Sequence, residues 1–201
     1  MRDPGIGRVL VASLHQGIAD LIPTRLDFYE NWLSPEGFRE GSIGPAPLTA
    51  VLSFLRQEGE AYFRVMERSG QYAADWTVEA MTPFRRATVH AMPQWVRRRV
   101  VLGVARRMVR ETYQASRATS RLRKGVAQIT VKGAVFCTVR EPVAQPLCGY
   151  YSAAFARLLS WFHLHGQIET LACRGTGEGT CIIAITFSKV QPETDGSDVV
   201  G

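Results

Sequence analysis

The chain has 201 residues, 46% of them hydrophobic and 21% charged, with 18 Gly and 10 Pro. That composition suits one globular domain and excludes a collagen, a coiled coil and a disordered polymer. No charge-free run is long enough for the roughly 18–20 residues of a membrane-spanning helix. The apolar stretch Val9–Ser13 lacks a cleavage site, so the expected location is cytoplasmic.

The elements follow in chain order. Val9–Leu21 carries a helical apolar face and stops at Pro23, and Arg25–Leu33 follows with Leu26, Tyr29 and Leu33 in helical spacing. Ser34-Pro35-Glu36-Gly37 reads as a turn and Gly41 to Pro47 as a connector. Leu48–Glu67 predicts a strong helix, with an interruption at Ser69-Gly70 and a resumption over Tyr72–Met81. Pro83 and Pro93 bracket a short segment, and Trp95–Ala115 predicts an amphipathic helix. From residue 120 the periodicity changes. Arg121–Lys124, Val126–Val131 and Ala134–Val139 read as antiparallel strands, Tyr150–His163 as a helix, and Gln167–Cys173 and Thr180–Phe187 as a closing hairpin. The tail from Gln191 is acidic and aperiodic, and disorder is expected there. The fold class is therefore α+β: a helical region over 1–119, a sheet with a packed helix over 120–190, and a tail over 191–201, all in one domain.

The net charge of +6 is unevenly distributed. Between Ala91 and Lys124 nine Arg and one Lys stand against a single acid, Glu111. This basic segment suits nucleic acid, an anionic membrane, a partner protein or a carboxylate-bearing ligand, as well as a solvated helix face. All four cysteines, at 137, 148, 173 and 181, lie in the C-terminal third. In a cytoplasmic chain that placement argues against disulfides and for either metal ligation or a buried thiol cluster. Cys173 and Cys181 flank a hairpin loop, Cys148 precedes a helix, and Glu169 lies four residues before Cys173. Three thiolates and a carboxylate make a plausible tetrahedral zinc set, although the CxxC signature is missing. The glycines at 175, 177 and 179 lead into a strand, so they are turn residues and not a phosphate loop. His163 and His165, at a helix end, are placed to cap the helix or face a pocket. Imidazole can ligate a haem iron or the magnesium of a chlorin, but a lone helix-end histidine is more often a dipole partner or a surface residue.

Gly133-Ala134-Val135-Phe136-Cys137, Pro146-Leu147-Cys148-Gly149-Tyr150-Tyr151 and Glu169 through Gly177 with Cys181 together resemble the 4-vinyl-reductase-type ligand-binding domain. Leu33–Gly37 and Ala50–Arg56 extend the resemblance more loosely, and the nearest branch is the bacteriochlorophyll 4-vinyl reductase-like one. The resemblance implies a TRAPP-subunit-like fold, a homodimer, and a structural zinc held by Cys148, Cys173, Cys181 and either Glu169 or Cys137. It implies a role in bacteriochlorophyll biosynthesis and photosynthesis. The expected function is binding of a chlorophyllide-like tetrapyrrole, with Trp76, Phe84, Trp95, Arg98, Arg106, Tyr113 and His163 as candidate ligand contacts. The alternatives are an 8-vinyl (4-vinyl) reductase fed by an external electron donor and a ligand-gated regulatory module. No nucleotide-cofactor motif supports the reductase, and nucleic acid is not an expected partner.

Overall fold

A computed structural model describes residues 5–30 and 45–188. The Ser34–Gly37 turn, the last residues of the helix expected over Arg25–Leu33, and the tail from Gln191 lie outside them. Seven helices and four strands follow in order among the described residues: α1 (Arg8–Leu21), α2 (Leu26–Glu30), α3 (Pro45–Gln57), α4 (Glu60–Glu79), α5 (Pro83–Ala91), α6 (Gln94–Thr112), β1 (Arg117–Arg123), β2 (Val126–Lys132), α7 (Gly149–Trp161), β3 (Gly166–Ala172) and β4 (Cys181–Phe187). Short 3-10 turns occupy Pro23–Arg25, Val135–Cys137 and Arg174–Thr176. The α+β class expected from the sequence is the one observed.

The sheet is antiparallel with strand order β1-β2-β4-β3. Strand alternation puts Ala127, Ile129 and Val131 of β2 opposite Ile185, Ile183 and Cys181 of β4, and all six are buried. One face of the sheet packs on α6 and α7; along β1 the exposed positions are Arg117, Thr119, Arg121 and Arg123.

The helices cover one another around α4. Its apolar stripe, Tyr62, Val65, Met66, Ala73, Ala74 and Val78, is buried against α1 and α7. The expected break at Ser69-Gly70 does not occur; α4 runs through both residues, and both are buried. A Cβ on Gly70 would lie 2.2 Å from the Tyr150 carbonyl oxygen, and one on Gly17 of α1 would lie 2.3 Å from Ser69 Oγ. These glycines mark backbone-to-helix contact and not chain breaks. The interruption falls earlier, at Gly59, whose φ of +63° is a left-handed conformation that separates α3 from α4. Ala134–Val139 differs as well: Gly133 turns the chain at φ +69°, and a 3-10 turn over Val135–Cys137 replaces the expected strand.

The homodimer that the resemblance implies is not needed to cover the helical stripes: those of α1, α4 and α7 bury against each other. Among the described residues no helix is long and apolar enough to cross a membrane.

Gly70→Ala is expected to force α4 and α7 apart and cost about 3 kcal/mol, as overpacking against backbone does. Thermal unfolding would show Tm lowered by roughly 10 °C. An unchanged Tm would mean that the two helices do not meet at this glycine.

Candidate metal centre

Four elements deliver one cysteine each to the junction of helices and sheet. The 3-10 turn after β2 carries Cys137, Cys148 is the N-cap of α7, Cys173 follows β3, and Cys181 opens β4. All four are buried and free, and their sulfur atoms lie within 4.8 Å of one another. The recorded separations are 3.4 Å for Cys137–Cys148, 3.5 Å for Cys137–Cys173 and Cys181–Cys137, and 3.3 Å for Cys148–Cys173. A tetrahedron with metal–sulfur bonds of about 2.3 Å has edges near 3.8 Å. The thiols therefore stand at almost the spacing that one four-coordinate ion requires.

Backbone amides complete the arrangement. Leu147 N–H donates to Cys173 Sγ at 3.3 Å, and Arg174 N–H donates to Cys181 Sγ at 3.4 Å. Donors aimed at sulfur favour thiolate over thiol and fix ligand orientation. Arg174 belongs to the loop between β3 and β4, and Leu147 to the segment before α7. Val143 N–H donates to the Gly175 carbonyl at 2.8 Å, and a Cβ on Gly175 would meet Leu147 at 2.9 Å. Gly177, at φ +100°, turns the loop back towards β4. Gly175 thus seats the loop against Leu147, whose amide donates to Cys173.

Four thiols this close cannot all ionise without a cation. Hydrogen bonds from Cys137, Cys148 and Cys181 hold Cys173 far below the ordinary thiol value, against burial. Bonds with Cys137 and Cys148 lower Cys181. The same bonds, together with burial, push Cys148 up. Cys137 also rises: the pull of its bond with Cys148 is outweighed by its bonds to Cys173 and Cys181 and by burial.

Glu169 lies outside this group. It points outward on β3, exposed and opposite Ala184. A register shift between Thr170 and Ala172 breaks the alternation just before the buried Cys173. Cys137, the alternative fourth candidate, stands inside the group. The two amide donors were not legible from residue types, because backbone groups carry no sequence signature.

The candidate tetrapyrrole contacts do not gather at one site. Trp76 stacks on Tyr72 at 5.5 Å and lines an open cleft of about 270 Å³ with Val9, Met81, Arg85 and Arg107. Phe84 and Trp95 are exposed. Arg98 lies 4.6 Å over the Phe187 ring and donates to the Ser188 carbonyl. Arg106 is exposed, and Tyr113 bridges to Ile6.

The histidines stand at the periphery. His15 pairs with Glu30 at 3.2 Å, and His165 is exposed. His163 is exposed and follows α7 at φ +48°; with the Leu164 N–H bonded to the Leu159 carbonyl, it forms a left-handed helix cap. Its ring lies 5.1 Å from that of His90. Burial, then His163 and Arg97, lower the His90 pKa.

No family description and no curated protein matches the chain. Solved structures do. An H-NOX protein from S. oneidensis in the Fe(II)NO ligation state is 13% identical, with a TM-score of 0.57 over 92% of this chain and 100% of that one. A mutant of an S. oneidensis H-NOX protein in the Fe(II) ligation state is 12% identical, with a TM-score of 0.50 over 92% of this chain and 98% of that one. The fold is H-NOX-like.

This finding corrects four expectations. The neighbours are H-NOX proteins and not 4-vinyl-reductase-type domains, so that identification is withdrawn. The bacteriochlorophyll-biosynthesis role, its tetrapyrrole carrier and vinyl reductase versions, and the association with photosynthesis fall with it. The structural zinc, implied by the same resemblance, loses that support. The neighbours are described by their iron, and tetrahedral sulfur suits several d-block ions.

Nor do the described residues suit an iron macrocycle. Phe136, Tyr150, Tyr151, Phe155 and Phe162 fill the interior beside α7, with ring centroids 4.6 Å apart for Phe136–Tyr150. None of the four histidines is buried. A groove of about 820 Å³ between α3 and the residues after Cys137 is lined by neither histidine nor cysteine.

His163→Gly is expected to relieve the left-handed strain and stabilise the fold by about 0.5–1 kcal/mol, raising Tm by roughly 1–4 °C. A large loss of stability would show that the ring does more than cap. Because His90 takes up protons more readily in the unfolded chain, stability should decline as pH falls below 6.5, the ordinary histidine value. In His90→Gln that part of the slope should vanish from a series of melts between neutral and mildly acid pH.

Proposed function

We propose that this chain is a sensor domain on an H-NOX-like fold whose responsive element is one metal ion held by Cys137, Cys148, Cys173 and Cys181. One observation carries the reading: four buried sulfurs from four separate elements converge within 4.8 Å, and backbone amides are directed at two of them. Inert core cysteines need neither feature. The small-ligand chemistry of the neighbours, NO on Fe(II), supports a sensing role by fold alone.

Four protein thiolates close the coordination sphere and leave no open position for substrate or gas. The ion therefore stabilises and does not catalyse. It would draw the 3-10 turn, the start of α7 and the β3–β4 hairpin to one point, so occupancy would set how firmly the sheet seats on the helices. Ligand thiols must lose their protons, which couples binding to pH as well as to folding. Occupancy falls as pH falls.

Elemental analysis of the purified chain should find one d-block ion per chain. Loading with Co(II) should give the intense visible bands of tetrahedral sulfur coordination. Removing the ion with a chelator is expected to lower Tm by roughly 10 °C, from about 4 kcal/mol of linked binding energy. Cys173→Ser and Cys137→Ser should each abolish stoichiometric binding, while Glu169→Ala should retain it. A chain that carries no ion, takes up no Co(II) and melts identically with and without chelator would overturn the proposal. A chain that instead takes up haemin and binds NO on its iron would replace it with the gas-sensing reading.

A further inference from the structure

From Ala80 to Arg110 the chain carries eight arginines and no acid, and this stretch forms α5 and α6. The outward stripe of α6 consists of Trp95, Arg99, Gly103, Arg106 and Arg110, which follow one another at helical intervals. Trp95 is 63% exposed, and the Arg99 guanidinium lies 5.6 Å over its ring. The other face of α6, with Val101, Val104, Met108 and Val109, is buried. In α5 only Val89 is buried, and Phe84 beside Arg85 and Arg86 is 82% exposed. Arg107 pairs with Glu111. Among the described residues Arg99, Arg106 and Arg110 have no carboxylate partner.

We propose that α5 and the outward face of α6 form a peripheral docking surface for an anionic lipid bilayer. Unpaired arginines attract acidic headgroups, each contributing about 1 kcal/mol near such a surface. Trp95 and Phe84 supply the apolar contact that interfacial helices bury at the headgroup boundary, where tryptophan is at home. Among the described residues no helix is long and apolar enough to cross a membrane. The same charges would suit nucleic-acid phosphates, but a phosphate backbone offers nothing to the Phe84 side chain, and that contrast favours lipid. The proposal is independent of the metal centre: the thiols' hydrogen-bond partners lie outside α5 and α6.

The test is co-sedimentation of the full chain with phosphatidylcholine vesicles containing or lacking phosphatidylserine, at low and high salt. Binding is expected only with phosphatidylserine, weakening as salt rises, together with a blue shift of tryptophan emission that Trp95→Phe removes. The triple variant Arg99→Gln, Arg106→Gln and Arg110→Gln should partition about 100-fold more weakly, at about 1 kcal/mol per arginine. Phe84→Ser and Trp95→Ser should each cost roughly tenfold. All five positions are exposed, so unchanged melting of the variants separates lost docking from lost folding. Equal binding to neutral vesicles, no binding to either kind, or binding to duplex nucleic acid in preference to vesicles would each overturn the proposal.

Discussion

Close approach of three helices at two glycines determines where everything else in this molecule sits. Gly17 lets α1 close on Ser69, and Gly70 brings the backbone of α4 against Tyr150 of α7. With α7 pinned there, Ser13 Oγ lies 3.2 Å from the Tyr150 hydroxyl, and the start of α7 is fixed relative to the helical layer. Cys148 is the residue before that start. The sheet reaches the same point from the other side, because the pairing of Val131 with Cys181 turns that thiol inward. The sulfur cluster is therefore a consequence of how two layers meet. It depends on packing at Gly17 and Gly70, far from any cysteine in sequence.

Much of this architecture was legible in the sequence, and the misreadings have physical causes. Period-two patterning located β2 and the β3–β4 hairpin, and helical spacing located α1, α6 and α7. Ser69-Gly70 looked like a break because propensity is local, while the pressure for glycine there is tertiary. Ala134–Val139 looked like a strand because its residues are apolar and partly β-branched, but the left-handed Gly133 diverts the chain. Clustering of the cysteines in the C-terminal third drew attention to residues that the fold brings together. Glu169 entered through sequence proximity to Cys173, and strand parity turns it to solvent. The amides of Leu147 and Arg174 emerge only in three dimensions.

Resemblance of short motifs misled on identity. Segments rich in Gly, Cys and aromatic residues at a helix–sheet junction satisfy a packing requirement, and that requirement does not specify a ligand. The H-NOX-like fold carries the same warning in the other direction. A scaffold known with Fe(II) and NO is built here around aromatic side chains, with its histidines on the surface. Fold and chemistry are separable, and the chemistry of this chain has to be read from its own side chains.

The arginines of β1 have an effect beyond solvation. β1 is an outer strand of the sheet, with one side of its backbone free of any strand partner among the described residues. Such edges invite a second molecule to continue the sheet. In an antiparallel pairing of two copies centred on Ser120, Arg117 would stand opposite Arg123, and Thr119 opposite Arg121. Like charges directly across a strand pair repel, and the repulsion would recur at both ends of the seven-residue ladder. The alternation that leaves these side chains in water therefore also opposes the pairing of two copies through β1.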